Sequence, residues 1–120
     1  MKNIFVLLFL LILIAGCNNK DSIVAPDTSR HVIYKVEGTT DMAYIGYFYS
    51  AGDSVQFSNS PVPVSIILET MHAGDHVYIS GINLRNTGTL KLRILVDSVE
   101  FKSISTSNPN AVISIEGNIP

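Results

Sequence analysis

The feature that most constrains this chain is a run in which every second residue is aliphatic. Between Thr89 and Val96, Leu90, Leu92, Ile94 and Val96 alternate with Lys91 and Arg93, and only Leu95 breaks the pattern. A period of two places those four side chains on one face of an extended strand, whereas a helix would scatter them. The same period recurs elsewhere. Val32, Tyr34 and Val36 alternate with Ile33, Lys35 and Glu37, and after a tight reversal at Asp97-Ser98 come Val99, Phe101 and Ser103, alternating with Glu100 and Lys102.

The segments between these runs read the same way. Met42 to Tyr49 is aromatic and β-branched, types that suit a pleated half-buried surface, and Gly46 inside it predicts a bulge or a close approach. Ala51-Gly52-Asp53 closes that strand, and Ser54 to Ser58 reads as a short edge strand. Pro61 and Pro63 flank Val62; because proline cannot donate to a ladder, this piece belongs at an edge or at a crossover between sheets. Val64 to Thr70 and His76 to Leu84 are further strands, separated by a turn from Met71 to Asp75 in which Gly74 is free to take positive φ. Arg85 to Gly88 is another turn, residues 106–110 a loop, and Ala111 to Gly117 the last strand. No helical period appears after Val32. Seven or eight strands recurring about every 8 to 12 residues predict an all-β fold, an antiparallel β-sandwich spanning residues 31–120, with a small closed barrel as the alternative.

The first residues are of another kind. Lys2 precedes an unbroken apolar stretch, residues 4–14 (IFVLLFLLILI), followed by the small residues Ala15 and Gly16. That is the build of a secretory signal peptide over residues 1–16. The stretch is short for a membrane span, which takes about 20 apolar residues, so an uncleaved anchor helix is the alternative and would need almost all of Met1 to Cys17. The hydrophobic fraction of 47% is inflated by this segment.

The chain's single cysteine ends it. Leu13-Ile14-Ala15-Gly16-Cys17 resembles the lipobox of bacterial lipoproteins. The resemblance implies cleavage between Gly16 and Cys17, a diacylglyceryl group on the Cys17 thiol, and acylation of the new amino terminus by palmitate-like chains. Each buried methylene contributes about 0.8 kcal/mol, and two or more chains make such anchoring stable. A lipoprotein of the cell envelope follows, and Asn18, where an Asp resembles an inner-membrane retention signal, points to the outer membrane, on its periplasmic or surface side. Residues 17–30 (CNNKDSIVAPDTSR) have no sustained period and read as the lipidated Cys17 with a flexible tether. With Cys17 consumed by lipid, no disulfide can form within the chain, and the core must hold by packing.

Charge and side-chain chemistry limit the functions open to the domain. Removing residues 1–16 takes away Lys2 and leaves seven basic against ten acidic residues, a formal charge of −3. The basic residues are scattered and not interleaved with aromatics, so no nucleic-acid partner is expected. His31, His72 and His76 do not bring the third and fourth ligands that zinc takes, and His72 and His76 straddle a turn. Asp41, Asp53, Asp75 and Asp97 each sit at a strand junction, where their side chains bond the turn backbone; no calcium-loop pattern is present. No Gly-x-Ser-x-Gly elbow occurs. The expectation is a protein without cofactor, metal or catalytic site. Among the aromatics of the second strand, Tyr47 and Tyr49 share a face, which is a binding surface if it turns outward and core if it turns inward.

Order and spacing of these strands also resemble the extracytoplasmic domain of the mycobacterial small membrane protein (MmpS) family. Tyr34-Lys35-Val36-Glu37-Gly38 is similar to that family's Y-x-V-x-G, and Ala43 to Tyr47 to its A-x-I-x-Y. Ala73 to Ser80 is similar to its P-G-x-x-V-x-L-S, with Asn83 in the position of the Asn that follows. Gly88 to Asp97 resembles its G-x-I-T-C-R-I-x-V-D strand, and Asn110 to Gly117 its closing segment. Three departures stand out. The family's two cysteines appear as Leu92 and Ile115, its L-P-W turn as Pro61-Val62-Pro63, and its uncleaved membrane helix is replaced by the lipobox-like segment. The resemblance implies an immunoglobulin-like β-sandwich and a periplasmic accessory to an RND-type membrane transporter. The expected function is a non-enzymatic, membrane-anchored lipoprotein acting by binding, and the alternative is a structural or surface-exposed adhesin-like lipoprotein.

Overall fold

The computed structural model describes residues 27–50, 55–68 and 70–120, and throughout them the chain is all β. In chain order the strands are β1 (Ser29–Arg30), β2 (Val32–Glu37), β3 (Met42–Tyr47), β4 (Gln56–Pro61), β5 (Val64–Ile67), β6 (Met71–His72), β7 (His76–Asn83), β8 (Leu90–Val96), β9 (Val99–Thr106) and β10 (Val112–Asn118). One four-stranded sheet has the order β5-β2-β8-β9, a second the order β10-β7-β3-β4, and β1 pairs with β6 alone. Every pairing is antiparallel. The expected antiparallel β-sandwich is what forms, with eight strands in its two main sheets.

Alternation decides which side chains lie between the sheets. Val32, Tyr34 and Val36 of β2 and Leu90, Leu92 and Ile94 of β8 are fully buried from one side. Ala43 and Ile45 of β3, Val77 and Ile79 of β7, and Ile113 of β10 meet them from the other. Burying such a side chain contributes about 1.5–3 kcal/mol, so this cluster is the main source of stability in a domain without disulfides. Leu95, the residue that broke the alternation, is buried yet lies outside the cluster.

The connections follow from turn chemistry. Between β8 and β9, Asp97 and Ser98 both take positive φ (50° and 67°), the geometry that a two-residue hairpin requires. Asp97 also accepts a hydrogen bond from the His31 amide through Oδ1 at 2.9 Å and donates its own amide to the His31 carbonyl at 2.8 Å. Between β4 and β5 the chain passes from one sheet to the other at Pro61-Val62-Pro63, as the two prolines predicted, with Val62 buried in the corner. At the opposite end from Asp97, buried Thr40 donates through Oγ1 to Asn83 Oδ1 at 2.5 Å, and Asn83 Nδ2 donates to the Thr87 carbonyl at 2.9 Å. Asn83 thus ties the β2–β3 corner to the β7–β8 turn and has a structural task.

Two stretches differ from the sequence reading. Met71 and His72, expected within a turn, form β6, and Ser29 and Arg30, expected within the tether, form its partner β1. A pair two residues long has no hydrophobic period to betray it. It depends on local polar contacts, with Asp27 Oδ1 accepting from the Ser29 amide and hydroxyl, and Asp75 Oδ2 from the His72 amide. The strand expected from Met42 to Tyr49 stops at Tyr47, although Phe48 still donates its amide to the Tyr78 carbonyl.

Tyr34 carries the one large polar task in the core. Its ring comes from β2, and its hydroxyl donates to the Phe48 carbonyl at 2.8 Å and accepts from the Tyr78 amide at 3.1 Å, joining one sheet to the other. Burial pushes its pKa up to about 12 from an ordinary 10.0. The fold therefore holds the neutral phenol, while the unfolded chain releases the proton from about pH 10. This contribution is whole below pH 10 and drains away toward pH 12. Tyr34→Phe should cost about 1–3 kcal/mol near pH 7, because two backbone groups lose their partner. Urea midpoints should then converge near pH 11, where only the wild type is losing stability through this group; a gap that stays constant with pH would contradict the assignment.

Candidate binding surface

The outward face of the second sheet is built by the residues that alternate with its core. On β3, Ala43 and Ile45 point inward, so Tyr44 and Gly46 point outward. Register then sets Tyr44 beside Ile82 of β7, and Ile82 beside Val112 of β10, where buried Ile113 fixes Val112 on the outside. On the other flank Gly46 faces Phe57 of β4. The Phe57 ring lies across Gly46 and stacks on Tyr44, with centroids 5.7 Å apart and planes 13° from parallel. A methyl group at Gly46 would sit 2.3 Å from the Phe57 ring, so this glycine is the close approach expected from sequence.

The result is an apolar band that crosses all four strands and stays open to water. Phe57 is 57% exposed, Tyr44 39% and Val112 67%. Beside the band lie Gly46, Ser80 and Ser114, small residues in register, and beyond them a second aromatic group. There Phe48 packs against Tyr78 at 5.4 Å and against the His76 ring at 6.0 Å. His76 Nδ1 is 2.8 Å from Asn118 Oδ1 and Nε2 is 3.1 Å from Glu116 Oε2, so one imidazole bridges β7 and β10. The bond with Asn118, then that with Glu116, raises the His76 pKa above its ordinary value. Chemically this face offers ring surfaces and shallow relief to a partner.

A comparison with protein-family models and with curated proteins finds no match.

The structure separates the residues that sequence reading had grouped. Tyr47 turns inward, its ring edge-on to Tyr34 at 5.8 Å and packed against the core, while Tyr49 lies beyond β3 and is 45% exposed. They do not form one outward patch. The outward aromatics are Tyr44 and Phe57, brought together by the pairing of β3 with β4. Gly16 and Cys17, the expected cleavage and lipidation residues, lie outside the described residues, as does Asp53. Of the aspartates expected to bond their own turns, Asp75 does so at the His72 amide, whereas Asp41 accepts from Arg85 Nε and Asp97 from the distant His31 amide. His31 is exposed, and His72 Nδ1 lies 3.8 Å from Asp75. Among the described residues no group of three or more His, Cys, Asp or Glu could hold a metal, and no helix is long and apolar enough to cross a membrane.

Proposed function

We propose that this chain is a lipid-anchored envelope protein that acts by binding, its Tyr44–Phe57 face receiving a partner protein. The observation that carries the reading is the stacked, open aromatic pair, continued by Ile82 and Val112 across the sheet. Monomeric surfaces scatter their apolar residues singly, and a contiguous band of aromatic and aliphatic groups is the mark of a contact site. The lipobox-like Leu13 to Cys17 supplies the anchor, and the resemblance to the MmpS domain supplies the partner class, a membrane transporter of the RND type.

The test has two parts in one strain. Labelled palmitate should enter the wild type and be absent from Cys17→Ala; label retained in that variant defeats the lipid anchor. Tyr44→Ser with Phe57→Ser, which together give up a partly exposed aromatic stack worth about 0.5–1.5 kcal/mol and leave the core intact, should keep the label yet lose cross-linking to the RND permease. Wild-type protein that cross-links to no permease, and is instead labelled on intact cells by a membrane-impermeant reagent, is the outcome expected of an adhesin-like lipoprotein.

A further inference from the structure

The outward face of the first sheet changes character along its strands. Ile33, Lys35 and Glu37 alternate with the buried residues of β2, and Lys91, Arg93 and Leu95 with those of β8, so all six lie on the side away from the core. Register aligns Ile67, Ile33 and Leu95 across β5, β2 and β8, with Leu95 buried and Glu100 of β9 next in the row. The next row is Ser65, Lys35 and Arg93, and the row beyond it pairs Glu37 with Lys91. Ile67 is 67% exposed, and Ile33 beside it is half-buried.

Charge on this face runs against that of the chain. Arg93 is held by Glu37 at 3.0 Å and Glu100 at 2.9 Å, while Lys35 and Lys91 have no ion pair among the described residues. Three cations against two carboxylates leave the face at +1, in a chain whose formal charge is −2. The chain also enters the sandwich at the Ile33 end of this face. Arg30 Nε donates to the Pro120 carbonyl at 3.2 Å and lies 3.7 Å from Asp97, and the described residues begin at Asp27. Only residues 18–26 separate Asp27 from Cys17. Fully extended, they reach about 30 Å, at roughly 3.3 Å per residue. Val112 and Leu84 belong to the opposite end of the strands.

We propose that Ile67 and Ile33, flanked by Lys35 and Lys91, form a membrane-contact surface that seats the domain on a bilayer rich in anionic phospholipid. The proposal rests on the lipid-anchor reading. Ile67 enters the boundary between headgroups and acyl chains, and Lys35, one row back, meets lipid phosphate. A short tether makes so small a contact effective, because it keeps the surface at high local concentration. Seated this way, the domain turns the Tyr44–Phe57 face away from the bilayer.

The chain has no tryptophan, so one introduced residue is a clean reporter. Ile67→Trp and Val112→Trp alter positions of equal exposure, 67%, on opposite sheets. Full-length protein extracted from membranes is reconstituted into phosphatidylcholine–phosphatidylglycerol vesicles with brominated acyl chains. Emission from Ile67→Trp should be quenched about threefold more than that from Val112→Trp, for a side chain seated at the headgroup–acyl boundary. Adding Lys35→Glu should bring it toward the Val112→Trp level. Equal quenching at the two positions overturns the contact surface. The intact mass of the same samples reports the anchor separately. An unmodified Cys17 with residues 1–16 retained defeats lipidation, and the quenching ratio still decides the surface, because the retained apolar segment then holds the chain in the same vesicles.

Discussion

Leu92→Ala should destabilise the domain by about 2–5 kcal/mol, the range for truncating a large aliphatic side chain in a packed core. Leu92 is fully buried on β8, between Val36 of β2 and Ile104 of β9 in register. Its side chain reaches across the sandwich, since a Cβ placed on Gly81 of β7 would lie 3.4 Å from Leu92 Cδ2. The surrounding strands belong to two paired sheets and cannot collapse freely into the space, so the upper part of the range applies. In a domain of this size each kcal/mol moves the melting temperature by about 4–8 °C, so the upper part of that range corresponds to a drop of about 15–40 °C by calorimetry. Val112→Ala, at a position 67% exposed, should change stability by about 0.5 kcal/mol or less. A Leu92→Ala variant that melts with the wild type would mean that the two sheets do not share one core.

Leu92 also marks how far the sequence could be read. It was legible as a core residue because Leu90, Leu92, Ile94 and Val96 keep a strict period of two, and long strands of that kind have one way to bury their apolar side. Ile115 of β10, from the other sheet, packs against the core in which Leu92 is buried. The outward aromatic face was less legible. Five of the six residues from Tyr44 to Tyr49 are aromatic or aliphatic, with only Gly46 among them, so hydrophobicity alone does not say which parity is inside; neighbouring strands decide it. The segment that holds Phe57 reads only as a short edge strand, and it is Gly46, bare beneath the ring, that lets Phe57 cover β3 and stack on Tyr44. The β1–β6 pair had no signal, since two residues cannot show a period. The row of Ile67, Ile33 and Leu95 left one trace, the break in alternation at Leu95, whose meaning depends on a register that no single strand contains.

Gly38 should prove the least replaceable glycine. Its φ of +136° lies where side-chain-bearing residues are strained, at a cost of about 1–3 kcal/mol. A Cβ there would also meet backbone: it would stand 2.1 Å from the Thr89 carbonyl oxygen, which cannot swing aside as a side chain would. That oxygen accepts from the amides of both Thr39 and Thr40, at 3.1 and 3.2 Å, and so fastens the β2–β3 corner to the start of β8. Gly38→Ala must therefore carry the backbone strain and also open one or both of these bonds, for a total of about 2–4 kcal/mol. Gly74→Ala separates the two effects. It too has positive φ, +92°, but nothing stands within 4 Å of its added Cβ, so only strain of about 1 kcal/mol is expected. Urea midpoints for the two variants should differ accordingly, with Gly38→Ala the lower. Equal midpoints would mean that the corner yields without cost, and that the Thr89 carbonyl is not the fixed point joining β2 and β3 to β8.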